Sequence, residues 1–135
     1  MIEGIYVKGV SVEVKEHSLL SRQMPPRMTY RFDSLETKDS KATIKFGFVA
    51  DYLSPDNKEI AKMEINGDVL ISDDESKIKD IEKLWNEKKQ VPNEVSEQIL
   101  SLLAYTCSGV GTLVSYSLGL LPPILVAPIK LEPPK

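Results

Sequence analysis

From Ile5 to Lys15 the chain alternates, with Val7, Val10, Val12 and Val14 separated by Lys8, Ser11, Glu13 and Lys15. A period of two puts every second side chain on the same face, so this run predicts a half-buried strand. The alternation changes phase around Gly9, which fits a bulge, because glycine adopts backbone geometry that other residues resist. Two more runs of the same kind, Met28 to Leu35 and Ala42 to Leu53, predict a second and a third strand, the third with Ile44, Phe46 and Phe48 on one face. Ser54-Pro55-Asp56-Asn57 carries proline at its favoured second position in a turn, and Glu59 to Ser72 then resumes the alternation. Strands three and four therefore form a hairpin. His17 to Met28 follows neither period and holds Pro25 and Pro26, which predicts a long irregular connection.

The period then lengthens. Ser72-Asp73-Asp74-Glu75 has the spacing of a capping box, in which the serine hydroxyl and the glutamate carboxylate each accept one free amide. A helix is expected over Glu75 to Gln90, with Ile78, Ile81, Leu84 and Trp85 as its apolar stripe and lysines and acids on the other face. Pro92 and Asn93 separate it from a second helix, about Glu94 to Leu118, in which Val95, Ile99, Leu102, Leu103, Val110, Leu113 and Val114 recur at helical spacing. A chain of 135 residues has room for one core. The expectation is a single α+β domain over residues 1–135: a four-stranded antiparallel sheet with two C-terminal helices packed on one face.

Charge changes this picture at the C-terminal end. Between Glu97 and Lys130 lie 32 residues, 98 to 129, without a charged side chain, long enough for a membrane span. Pro122 and Pro123 cut the run, and Ser101, Thr106, Ser108, Thr112, Ser115 and Ser117 fill it with hydroxyls. A helix buried between protein surfaces accounts for it better, with Gly109 and Gly111 allowing close approach of another backbone. The rival is a tail-anchored membrane protein with a small N-terminal binding module. Lys+Arg 17 against Asp+Glu 20 leaves a net charge of -3, no footprint for a phosphate backbone, so nucleic acid is not an expected partner. One cysteine and a start without a basic, apolar leader pattern point to the cytoplasm.

Candidate chemistry is sparse. Asp73, Asp74 and Glu75 lack the spacing of a calcium loop and stand where acids favour a helix start. His17 has no second histidine, and Cys107 lies in an apolar helix, so no zinc site and no cysteine-histidine pair can be assembled. Gly109-Val110-Gly111-Thr112 lacks the lysine of a phosphate loop. No enzyme, no metal and no cofactor are expected.

Three stretches carry a family resemblance. Ile5-Tyr6-Val7-Lys8-Gly9-Val10-Ser11-Val12-Glu13 resembles the first strand of the SecB protein-export chaperones, Ile/Phe-Tyr-x-Lys-Asp-Ile-Ser-Phe-Glu. Lys62-Met63-Glu64-Ile65-Asn66-Gly67-Asp68-Val69-Leu70-Ile71 is similar to the family's fourth strand. Gly119-Leu120-Leu121-Pro122 and Val126-Ala127-Pro128-Ile129 resemble the Gly-Thr-Phe-Pro and Leu-Ala-Pro-Val that close its core.

The resemblance implies a dimer of dimers that holds unfolded polypeptide without ATP, with Met63, Ile65, Gly109 and Gly111 at the oligomer interface. Leu19, Leu20, Met24 and Met28 in the crossover are candidate client contacts, since methionine adapts to varied partners. The alternative is that these four side chains tuck onto the chain's own core. Trp85, Leu100 and Leu103 are further client candidates on the helical side. SecB-like chaperones also protect unstable antitoxins, so the client is either an exported chain or an antitoxin. The family's sheet contacts with the SecA motor, an Asp, a Glu, a Leu and a Glu, fall on Gly9, Glu13, Lys62 and Glu64. Only Glu13 and Glu64 match as partner-binding acids, and the sequence stops at Lys135 without the family's C-terminal helix and acidic tail. A holdase outside the SecA route is the expectation.

Overall fold

The computed structural model describes residues 1–124 and the backbone of 131–132. Strands β1 (Ile2–Val14), β2 (Arg27–Lys38), β3 (Lys41–Leu53) and β4 (Glu59–Ser72) form an antiparallel sheet in the order β1-β4-β3-β2. Helices α1 (Glu75–Lys88) and α2 (Asn93–Ser117) pack on one face, and this is the α+β architecture the periodicity predicts. A two-residue β5 (Leu131–Glu132) runs parallel to β2 beside Tyr30 and Arg31. Two residues carry no period, and the pattern does not foresee it.

Register decides which side chains face the helices. Phe46 lies opposite Gly67, Phe48 opposite Ile65 and Ala50 opposite Met63, so the even positions of β3 and the odd positions of β4 point inward. Ile44, Phe46, Phe48, Tyr52, Met63, Ile65 and Val69 are all fully buried there, each gaining roughly 1.5–3 kcal/mol from leaving water. The other face is polar, with Lys45, Lys62, Glu64, Asn66 and Asp68 in the alternate positions. Gly9 does sit at a register shift of β1 against β4, between Val7 and Gly9. A second shift, between Phe32 and Ser34, lets both Phe32 and Leu35 face the core across the extra residue Asp33.

The hairpin turn closes where the proline predicts. Asn57 donates its amide to the Ser54 carbonyl at 2.9 Å with φ at 62°, and the Ser54 hydroxyl accepts the Lys58 amide at 3.1 Å. The capping box does not form. Strand β4 runs through Ser72, whose amide donates to the Met1 carbonyl at 2.8 Å, and the helix starts after Asp74, whose side chain makes no cap bond. The Asp73 carboxylate accepts the Asp74 amide instead, at 2.8 Å. Helix α1 ends at Lys89, in the left-handed conformation, with its ammonium 5.7 Å from the centroid of Trp85. Within the crossover, His17–Arg22 is a 3₁₀ helix rather than an irregular loop.

Gly67 and Gly109 make a matched pair for testing the packing. A Cβ on Gly67 would lie 2.0 Å from the Tyr6 carbonyl oxygen, whereas one on Gly109 meets nothing within 4 Å. Gly67→Ala is expected to cost several kcal/mol, about 3 or more, because backbone has to move. Gly109→Ala is expected to leave stability unchanged or raise it by up to about 1 kcal/mol, since alanine favours the helix. Urea unfolding of both variants followed by circular dichroism checks the contrast.

Candidate functional site

Helix α2 has two apolar sides. Ile99, Leu103, Cys107, Gly111 and Ser115 are buried against the sheet. Leu102, Tyr105, Gly109, Leu113 and Tyr116 face away, and at 100° per residue they fall within an arc of about 80°. Exposure reaches 84% at Tyr105, 79% at Leu113 and 89% at Tyr116. Gly109 stands at the centre of this stripe with open space over it, so a second backbone can approach closely there. By length and composition α2 is also the one helix among the described residues able to cross a membrane, with 28% of its most apolar window buried.

The crossover meets the segment that follows α2. Leu19 and Leu20 of the 3₁₀ helix and Met28 at the start of β2 are half-buried against the core, while Met24 is 47% exposed. Gln23 uses both ends of its carboxamide: Nε2 donates to the Gly119 carbonyl at 2.7 Å and Oε1 accepts the Leu121 amide at 2.7 Å. The Tyr52 hydroxyl donates to the Leu121 carbonyl at 2.7 Å, and burial pushes that phenol up to about 12. Ser108 donates to the Pro123 carbonyl at 3.2 Å. These bonds serve an extended stretch that has no ladder of its own.

On the polar face of the sheet, Gly9, Glu13, Lys62 and Glu64 do come together. Glu13 lies directly opposite Lys62, Ser11 opposite Glu64 and Gly9 opposite Asn66. Acids here are matched by bases: Lys62 Nζ is 3.5 Å from Glu64 Oε1, Lys8 is 2.7 Å from Asp68, and Arg31 is 2.5 Å from Asp33. Where exposed, each such pair contributes about 0.2–1 kcal/mol.

Several expected contacts are corrected by burial. Leu103 is wholly inside and Trp85 nearly so, as members of the main core, so neither presents a surface to a client in this conformation. Leu100 is half-buried on α2, about 27 Å along the helix from the crossover end, and the seven client candidates do not line one groove. Met63 and Ile65, expected at the oligomer interface, are buried under the helices within the single chain. Gly111 is covered by the chain itself: a Cβ there would sit 2.3 Å from Pro123 Cγ. The outward Tyr105, Leu113 and Tyr116 are surface residues that sequence reasoning did not assign to a site, although their spacing of eight and eleven from Tyr105 was available as a signal.

A cavity of about 510 Å³ between the sheet end and the helix starts has Ile2, Ile71 and Val95 in its lining, with Asp80 and Glu94 among its polar groups. No cluster of three or more His, Cys, Asp or Glu among the described residues is placed to hold a metal ion. Tyr30 is buried with its hydroxyl unpartnered.

Comparison with known proteins places the fold. No family model and no curated protein sequence matches the chain. A solved structure does: the SecB-like chaperone Rv1957 of Mycobacterium tuberculosis, in complex with a ChAD peptide from the Rv1956 HigA1 antitoxin. It matches with a TM-score of 0.65 at 9% sequence identity, over 96% of this chain and 91% of that one. The chain has a SecB-like fold. That neighbour is a chaperone, and the likeness extends to the open sheet and both helices.

The seat of α2 can be probed through its cysteine. Burial pushes the Cys107 thiol up to about 12, so the nucleophilic thiolate is scarce in the folded chain. At pH 8, labelling by a disulfide reagent is expected to be at least about 100-fold slower in buffer than in denaturing urea. Comparable rates in the two solvents would show that α2 leaves the sheet readily.

Proposed function

We propose that this chain is an ATP-independent chaperone of the holdase kind, which binds extended, non-native polypeptide and works as an oligomer in the cytoplasm. The observation that carries the reading is the SecB-like fold combined with an apolar stripe on α2 that the single chain leaves in water. A monomer seldom keeps such a contiguous surface without a use for it. A second copy packed on Leu102, Tyr105, Gly109, Leu113 and Tyr116 supplies the assembly, and the crossover around Met24 and Met28 supplies an adaptable client contact. Four chains would carry 4 × -3 = -12 charges, which favours solubility of a particle with apolar grooves.

Two client classes fit: a chain on its way to export, or an antitoxin of the kind whose peptide the neighbour holds. We favour a client delivered without the SecA motor. The Gly9 position lacks an acid, and Lys62 lies beside Glu64, so a basic motor tail meets a compensated surface. The expected affinity is at least about tenfold weaker than for a sheet bearing Asp, Glu, Leu and Glu there. Calorimetric titration with the motor's C-terminal tail checks this; micromolar binding abolished by Glu64→Lys would count against it.

The length and exposed face of α2 also favour a second reading, a membrane-attached binding module. Fractionation separates the two. The holdase reading expects soluble protein that light scattering sizes as a dimer or tetramer, with Leu113→Lys plus Tyr116→Lys giving a folded monomer. In the same preparation, aggregation of a chemically denatured model protein should be suppressed with no nucleotide present, and Met24→Asp should weaken that activity several-fold with little effect on stability. A chain that pellets with membranes, or one that leaves aggregation unchanged, would overturn the reading.

A further inference from the structure

Strand β2 is the outer strand of the four. It pairs with β3 from Arg27 to Lys38, and on its other side, among the described residues, Tyr30 and Arg31 have strand partners in β5. An edge of this kind presents amides and carbonyls that another extended chain can take up. Here it is the chain's own C-terminal segment that takes them.

The route of that segment is fixed before it reaches the edge. Gln23 holds Gly119 and Leu121, Tyr52 holds Leu121 and Ser108 holds Pro123. Leu120 is buried, and Pro123 fills the space over Gly111. The path lies against the crossover, since a Cβ on Gly119 would be 3.9 Å from Leu20 Cδ1. From Gly119 to Ile129 the sequence GLLPPILVAPI has no charge and three prolines, an apolar composition that disfavours helix. It has the character of a client.

We propose that two described parts of the chain after α2 are intramolecular occupants of the client site, residues 119–124 held over the crossover by Gln23 and Leu131–Glu132 added as β5 to the β2 edge, where an extended apolar polypeptide running parallel to β2 displaces them. This rests on the holdase reading and adds its binding mode and its restraint. A tethered competitor acts at an effective concentration of the order of millimolar, so even a two-residue strand lowers client affinity by a measurable factor. Client affinity is therefore set by competition, and release of the tail strengthens it.

The test compares the full chain with two full-length variants. Leu131→Pro with Glu132→Pro removes both amide donors of β5, and Gln23→Ala removes the clamp while leaving β5 intact. Reduced and carboxymethylated α-lactalbumin, permanently unfolded, is the client probe, titrated by fluorescence anisotropy. Each variant is expected to bind it about 3- to 10-fold more tightly. A synthetic peptide of residues 125–135 added to the proline variant should compete with the probe and return the affinity toward that of the full chain. Equal affinity in all three proteins, with no competition by the peptide, overturns the strap and leaves the holdase reading standing. No binding of the probe by any of the three, all folded by circular dichroism, overturns the holdase reading and this proposal with it.

Discussion

One helix has to satisfy two sides with apolar residues while only one side has a seat. The inner face of α2 is narrow and small, with Ala104, Cys107, Gly111 and Ser115 alongside Ile99 and Leu103, which lets the helix lie close over Met63 and its neighbours. Close seating leaves no depth for the outer stripe. Because both helices occupy the same face of the sheet, nothing among the described residues reaches over α2 from outside, and Tyr105, Leu113 and Tyr116 stay in water. The proposed assembly is a direct consequence of this geometry.

The same shortage of ladder partners shapes the segment after α2. Proline-rich apolar chain cannot join the sheet as a regular strand, because each proline removes a donor. Its backbone oxygens and amides need other partners, and Gln23, Tyr52 and Ser108 supply them from three separate elements. Gln23 is well suited, since a carboxamide carries a donor and an acceptor in the spacing of a peptide group. The crossover, the third strand and α2 are thereby joined at one end of the sheet, where Met24 remains exposed.

How much of this was legible depended on the range of the signal. Short periods were: the alternation of Ile44, Phe46 and Phe48 marks β3, Gly9 marks a bulge through the phase change beside it, and Ile78, Ile81 and Trp85 mark the buried side of α1. Ser72 misled because a capping box is a local pattern, and β4 had already claimed the serine's amide for pairing with Met1. Gln23 carried no local signal for its contacts with the segment after α2, which lie 96 and 98 residues away. Leu103 and Leu102 are adjacent leucines in sequence, and only the helical phase set by the sheet contact tells that one is core and the other surface. Met63 and Ile65 were assigned to an interface by family likeness, whereas their register against Ala50 and Phe48 turns them inward.

The proposed holdase activity needs no reacting atom, in keeping with a fold matched at 9% identity while no constellation of residues announces a function. What must be kept is a sheet with one apolar face, helices to cover it and apolar surface to spare, and many sequences meet those terms. The polar face of the sheet offers a different surface. There the pairing of Lys62 with Glu64, of Lys8 with Asp68 and of Arg31 with Asp33 spends these three acids on neighbours within the chain. A partner that binds through bases would have to break those pairs, gaining one contact for each it displaces. Discrimination against such a partner therefore needs no steric block, only the lysine and arginine side chains already lying beside the acids.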